Sequence, residues 1–206
     1  MILKGSQRGG AKQLGLHLLK TAENEHVEIH DVRGFMTDDV VGALREAEAV
    51  SKGTKCRQFL FSVSLNPPES ESVRIETFEQ AIAAIEEKHG LTDQPRVIVF
   101  HEKEGRRHCH AVWSRIDAET MTAKPLPFFK NKLMEVSKQL YLEHGWQMPR
   151  GLKTAQERLE ALRKDQQQRP TVRVRQVGKD AISPTDRLQR LREGQKRKLR
   201  GPELGR

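Results

Sequence analysis

The chain has 206 residues, 37 Lys and Arg against 28 Asp and Glu, a net charge of +9 and only two cysteines. That length suits one domain plus an extension, and Cys56 with Cys109 cannot make a disulfide framework, which fits a reducing cytoplasm. No apolar run is long enough to span a membrane and no signal-peptide pattern opens the chain, so the sequence reads as that of a soluble, cytoplasmic protein with no membrane insertion.

Residues 1–7 read as a strand. Gly9 and Gly10 then precede a short helix with Leu14, His17 and Leu18 on one face. Lys4, Arg8 and Lys12 surround this glycine turn, and backbone amides at a helix start favour a phosphate. His26 to Val32 alternates like a strand, which puts His26, Glu28, His30 and Val32 on one face. These are either half-exposed strand residues or, less simply, DNA contacts or a second metal cluster. Thr37-Asp-Asp opens a helix that runs to about Lys52, with Gly53 as its cap. Phe59 to Leu65 is a strand stopped by Asn66-Pro67-Pro68. Thr77-Phe-Glu-Gln80 has the form of a capping box, and the helix it starts ends at Gly90. His89 and His144 each precede a helix-ending glycine, where a cationic ring complements the helix dipole.

The most informative stretch follows. Arg96 to His101 is an apolar strand that ends in a histidine, and His108 opens another strand in His108-Cys109-His110. Residues i and i+2 of a strand share a face, so His108 and His110 project together. The six residues between His101 and His108 carry a glycine and charges suited to a hairpin-like connection. Paired strands bring His101 beside the other two. Three imidazoles with an open position make a catalytic metal site. The plainer reading of a His-x-His pair in a basic loop is a solvated or structural one. Arg106 and Arg107, in the connection, either clamp phosphate or are solvated.

Thr120 to Lys124 is a turn or short strand. A long helix begins near Pro127 and ends at Gly145, with Phe129, Leu133, Val136 and Leu140 as its buried stripe. Tyr141 flanks that stripe as a core-edge residue. Trp146 and Pro149 close a domain of residues 1–150. Residues 151–206 form an extension: a charged helix over 152–167, a break at Arg169-Pro170, an exposed alternating run at 171–175 and a basic helix over 185–200. This tail holds 16 Lys and Arg against 7 acids, whereas 1–150 is balanced at 21 of each. Such asymmetry marks either a polyanion-binding tail, DNA above all, or a solvated segment. The interleaved helices and the hairpin-like strands together give an α+β class.

The strand-His101-x6-His108-x-His110-strand pattern resembles the third motif of the relaxases, the mobilization nucleases of the HUH superfamily, in the branch of plasmid mobilization relaxases and the T-DNA border endonuclease. Met1 to Gly5, Gly9 to Lys20 and Gln58 to Pro68 resemble, in order, the first strand, the nucleophile helix and the second motif. The resemblance spans about residues 1–150. It implies a five-stranded antiparallel sheet flanked by helices. It further implies a divalent metal, magnesium or manganese, held by His101, His108 and His110, and nicking of single-stranded or hairpin-flanked origin DNA through a covalent 5′-phosphate intermediate. Relaxosome accessory proteins, a secretion-system coupling protein and a bacterial cytoplasm follow from the same resemblance, and family members often continue into partner domains.

Two departures stand out. The family's carboxylate two residues after the first histidine is Lys103 here, so Glu102 or Glu104 is the candidate for that supporting role. The family's tyrosine nucleophile is matched by His17, and the chain's single tyrosine, Tyr141, lies elsewhere. Imidazole has an ordinary pKa of about 6.5, so much of it is a neutral nucleophile near pH 7. His17 is therefore the candidate nucleophile, with His26 the first alternate and Tyr141 the second. A cleavage-inactive origin-binding protein, a metal-dependent DNA hydrolase without a covalent step and a replication initiator of the same superfamily remain as other readings.

Overall fold

Every strand of the main sheet pairs antiparallel with its neighbours. The computed structural model describes residues 1–168 apart from Glu23. The strands are β1 (Ile2–Arg8), β2 (His26–Arg33), β3 (Leu60–Asn66), β4 (Arg96–Lys103) and β5 (Arg106–Ser114), ordered β1-β3-β5-β4-β2. A short ladder joins β6 (Ile116–Asp117) to β7 (Thr122–Ala123). The helices are α1 (Ala11–Leu18), α2 (Val40–Ser51), α3 (Ile75–His89), α4 (Phe129–Glu143) and α5 (Ala155–Gln168).

The central strands are apolar on both faces, and each face has its own helices. Phe61, Val63, Leu65, Ile98, Phe100, Cys109, Ala111 and Trp113 pack with α3 residues Phe78, Ile82 and Ile85 and α4 residues Leu133, Val136 and Leu140. Leu60, Val97, Val99 and Val112 pack on the opposite face with Leu14 and Leu18 of α1 and Val40, Ala43, Leu44 and Ala47 of α2. This is an α+β fold with a five-stranded antiparallel sheet between helices. Burial of these side chains is the main favourable contribution to the fold, at about 25 cal/mol for each Å² of apolar surface removed from water.

Four local expectations change. The connection after His101 is a two-residue turn, because Glu104 (φ 54°) and Gly105 (φ 67°) both adopt the left-handed region that a tight hairpin requires. The strands therefore run on to Lys103 and restart at Arg106. Helix α3 begins at Ile75 with Arg74 as its N-cap and no side-chain cap, so Thr77 sits inside the first turn rather than before it. A register shift between Ile29 and Asp31 puts an extra residue into β2. His26 and Glu28 keep to the α3 face, but Val32, opposite Val97, has crossed to the α1 face. His89 is not a solvated helix-end residue: it is buried, its Nδ1 donates to the Ile85 carbonyl, and desolvation pushes its pKa below the ordinary value.

By contact density the chain divides into Met1–Arg158 and a second unit from Leu159 onward. The alternating run at 171–175 and the basic helix at 185–200 lie outside the described residues. Among the described residues no helix is long and apolar enough to cross a membrane.

Candidate active site

The β4–β5 register assembles the three histidines. His101 pairs directly with His108, and Val99 pairs with His110. Alternation sends Cys109 into the α3 face, where burial pushes its thiol pKa up, and leaves His108 and His110 on the α1 face beside His101. One nitrogen from each of the three rings lies within 4.8 Å of the others. Among the described residues no other set of three or more His, Cys, Asp or Glu gathers in this way. His101 is buried, and its Nε2 donates to the carbonyl oxygen of Leu18 at 2.6 Å. A carbonyl only accepts, so this bond fixes the His101 tautomer and leaves Nδ1 with its lone pair, the supporting role that partners of metal-bound histidines play.

The electrostatics suit a cation of the solvent rather than protons. Burial, and then the neighbouring charge of His101, His108 and His17, lowers the His110 pKa to about 3. Burial, then His101, Arg106 and Lys103, lowers that of His108. Both rings are held neutral, the form that ligates metals. Three imidazole nitrogens gathered on one face are donors that would hold a divalent ion. The donor set fits a divalent metal.

Helix α1 brings His17 to the same place. Gly10 turns the chain into the helix at φ 76°. Leu14 and Leu18 anchor one side in the core. Gly15 lets α1 lie close against α2, since a Cβ there would meet Val41 Cγ2 at 2.9 Å and Val41 Cα at 3.0 Å. His17 is exposed, and its ring stands edge-on to that of His110 with centroids 6.4 Å apart.

Residues 16–146 match the MobA/VirD2-like relaxase nuclease domain. The chain belongs to this relaxase family. It is thus a DNA-nicking endonuclease at the level of the family, which is typically metal-dependent and binds origin DNA. No individual curated protein matches it.

Other residues of this relaxase fall on both sides of the sheet. Lys4 shares the triad's face, in one cross-strand row with Ser64 and His110. Arg8 is exposed at the far end of β1, and Lys12 is exposed in the first turn of α1. His26 pairs with Glu102, one residue along from His101, so both project from the α3 face and neither joins the triad. Glu102 instead pairs with Arg107 at 3.7 Å, and Arg107 lies 5.9 Å from the Phe100 ring on that same face. Glu104 is an exposed turn residue whose backbone N–H donates to Glu25. Arg106 alternates onto the triad's face and pairs with Glu69. His30 Nε2 donates to the Glu79 carboxylate on α3, and the ring packs edge-on to Phe100. Tyr141 is buried in α4 against Trp146, and His144 stacks on the same Trp146.

Four further participants, Leu18, Ser64, Asn66 and Glu25, were not singled out in the sequence. The Leu18 carbonyl has no residue-type signature. Ser64 and Asn66 join the polar strip on the β3 side of the triad, where the Asn66 side chain donates to Ser64 Oγ, and period-two alternation of that strand could have flagged them. Glu25 accepts from the N–H groups of Glu104 and Gly105 and ties the histidine hairpin to the segment after α1.

Proposed function

We propose that the chain is a site- and strand-specific relaxase that nicks one strand at the transfer origin of a plasmid or integrative element. It would keep the 5′-phosphate on the enzyme and release a 3′-hydroxyl. The observation that carries this reading is the meeting of His101, His108 and His110 beside His17 on one sheet face. The three histidines would hold a divalent ion, magnesium or manganese on the family pattern. Bound there, it would polarise a non-bridging oxygen of the scissile phosphate and neutralise charge developing at phosphorus.

His17 is the nucleophile in this reading. A neutral ring nitrogen forms the P–N bond as the P–O3′ bond breaks, and the proton lost from the other ring nitrogen balances the one gained by the departing 3′-oxygen. The phosphoramidate keeps the energy of the broken ester, so the same residues can rejoin the strand. Lys4 and Arg106, on the triad's face, would position the backbone through phosphate contacts. Arg8, Lys12 and Arg107 would add to the surrounding positive field. Residues 1–150 would carry the chemistry. Residues 151–206, which hold the whole excess charge, would supply non-specific DNA affinity. The setting is a bacterial cytoplasm, with relaxosome accessory proteins and a secretion-system coupling protein as partners.

The test is an adduct assay with manganese and single-stranded oligonucleotides spanning the origin. The expected product is a protein–DNA adduct on a denaturing gel that mild acid destroys, absent from His17→Ala and from the His108→Ala, His110→Ala double variant. An acid-stable adduct that persists in His17→Ala would refute the histidine nucleophile. Cleavage with no adduct at all would point to a hydrolase.

A further inference from the structure

A cleft of about 720 Å³ lies at the end of the sheet that carries the triad. One wall is the loop after β3, from Asn66 to Val73. The other is the hairpin tip from Glu102 to Arg107, and His108 also lines the space. The two walls differ in kind. The hairpin is pinned, because the Glu25 carboxylate accepts from the Glu104 N–H at 3.1 Å and the Gly105 N–H at 3.4 Å. The opposite wall opens with Pro67-Pro68, whose rings are stiff and apolar. One ion pair bridges the walls: Arg106 Nη1 lies 3.1 Å from Glu69 Oε1, with the side chains 51% and 84% exposed.

So exposed a pair is weakly held. A phosphodiester offers a guanidinium the same kind of charged oxygens as a carboxylate. The volume falls within the roughly 300–1,000 Å³ of sites that enclose a small organic ligand, and would take roughly one or two nucleotides. We propose that this cleft is the subsite for the nucleotides that run on from the scissile phosphate, and that Arg106–Glu69 is a latch that the DNA opens. A phosphate takes Arg106, Glu69 turns to solvent, and a base lies against Pro67-Pro68. The inference rests on the relaxase reading and adds to it the path of the strand beside His108.

The experiment is a double-mutant cycle on the full chain, read by anisotropy of a labelled twelve-residue oligo(dT) at low salt. Glu69→Gln should tighten binding about 2- to 5-fold, the worth of the exposed pair it removes. Arg106→Ala should weaken binding, and Glu69→Gln placed on top of it should then gain little. An equal gain in both backgrounds overturns the latch, since Glu69 would then act only through overall charge. With 4-thiothymidine in the oligonucleotide, crosslinks should fall within 66–73 or 102–107, and crosslinks confined to other segments overturn the subsite. Wild-type protein that binds the oligonucleotide without coupling between the two residues removes this inference alone. Wild-type protein that does not bind single strands removes the relaxase reading with it.

Discussion

Replacing Glu86 with alanine should cost the fold about 3–5 kcal/mol, the usual consequence of removing one partner from a buried charge cluster. Glu86 is 4% exposed and accepts from Arg33 Nη2 at 3.0 Å, Arg96 Nη1 at 2.9 Å and Trp113 Nε1 at 2.7 Å. The three donors form one row across β2, β4 and β5, and the carboxylate reaches them from α3. Without it, the fully buried Trp113 N–H loses its partner, which alone costs about 1–3 kcal/mol. Arg96 keeps Asp31 at 2.8 Å. Arg33, 37% exposed, can turn partly to water, so the losses do not simply add. For a chain of this size each kcal/mol moves the melting temperature by about 2–4 °C, so Glu86→Ala should melt roughly 6–20 °C lower. The comparison is Glu79→Ala on the same helix. Glu79 is 53% exposed and pairs only across the surface with His30, so its loss should cost under about 1 kcal/mol. Urea denaturation of both variants decides the matter, with an unchanged m-value as the sign that stability alone has moved. A Glu86→Ala midpoint no lower than that of Glu79→Ala would refute the argument that this carboxylate clamps the sheet to α3.

Three further outcomes are expected. Manganese at one hundred times its dissociation constant should stabilise the wild type by about 2.7 kcal/mol, a melting shift of roughly 5–11 °C, and calorimetry should find no such shift in the His108→Ala, His110→Ala double variant. Gly15→Ala gains up to about 1 kcal/mol in helix propensity, but its Cβ would meet Val41 at 2.9–3.0 Å and overpacking costs about 1–3 kcal/mol; α1 should shift, and single-turnover nicking should fall further than oligonucleotide binding. The folded-state pKa of His89 is lowered by burial, so the unfolded chain takes up a proton near pH 6.5 while the folded one does not, and stability should drop as pH falls below about 6.5; the loss between pH 7.5 and 5.5, measured in urea, should be smaller in His89→Gln, and an equal loss would exclude His89 as a source.

Much of the site was readable because strand alternation is local. His108 and His110 share a face whatever the rest of the chain does, and their register with His101 follows once the turn is placed. The turn itself was placed too generously, because Glu104 at positive φ is a conformation that its residue type disfavours and that the flanking strands and the Glu25 carboxylate hold in place. The face assigned to Val32 failed for a different reason. A bulge has no composition of its own, and the insertion of one residue flips everything after it. His89 was misread because a helix-end histidine and a buried one look alike in sequence; its neighbours Phe61 and Phe129 come from distant segments. The carboxylates Glu102 and Glu104 failed to reach the triad because one alternates to the wrong face and the other turns outward, a consequence of the same two-residue turn.

The proposed use of an imidazole on α1, where the resembled pattern carries a phenol, has a geometric side. Imidazole is shorter than phenol, so a histidine nucleophile must stand nearer its target than a tyrosine on the same helix would. In-line attack needs the nitrogen about 3–3.5 Å from phosphorus. The His17 ring stands edge-on to His110 with centroids 6.4 Å apart, which places the candidate nucleophile directly beside the triad. Two contacts hold that spacing. Gly15 sets how closely α1 lies against α2, and the Leu18 carbonyl, next in sequence to His17, bonds directly to His101. The candidate nucleophile and the triad are thereby connected through one peptide unit and one hydrogen bond. A shift of α1 would alter the direction of His17 and the orientation of His101 together, so the site has a single geometric variable where two separately placed groups would have had two.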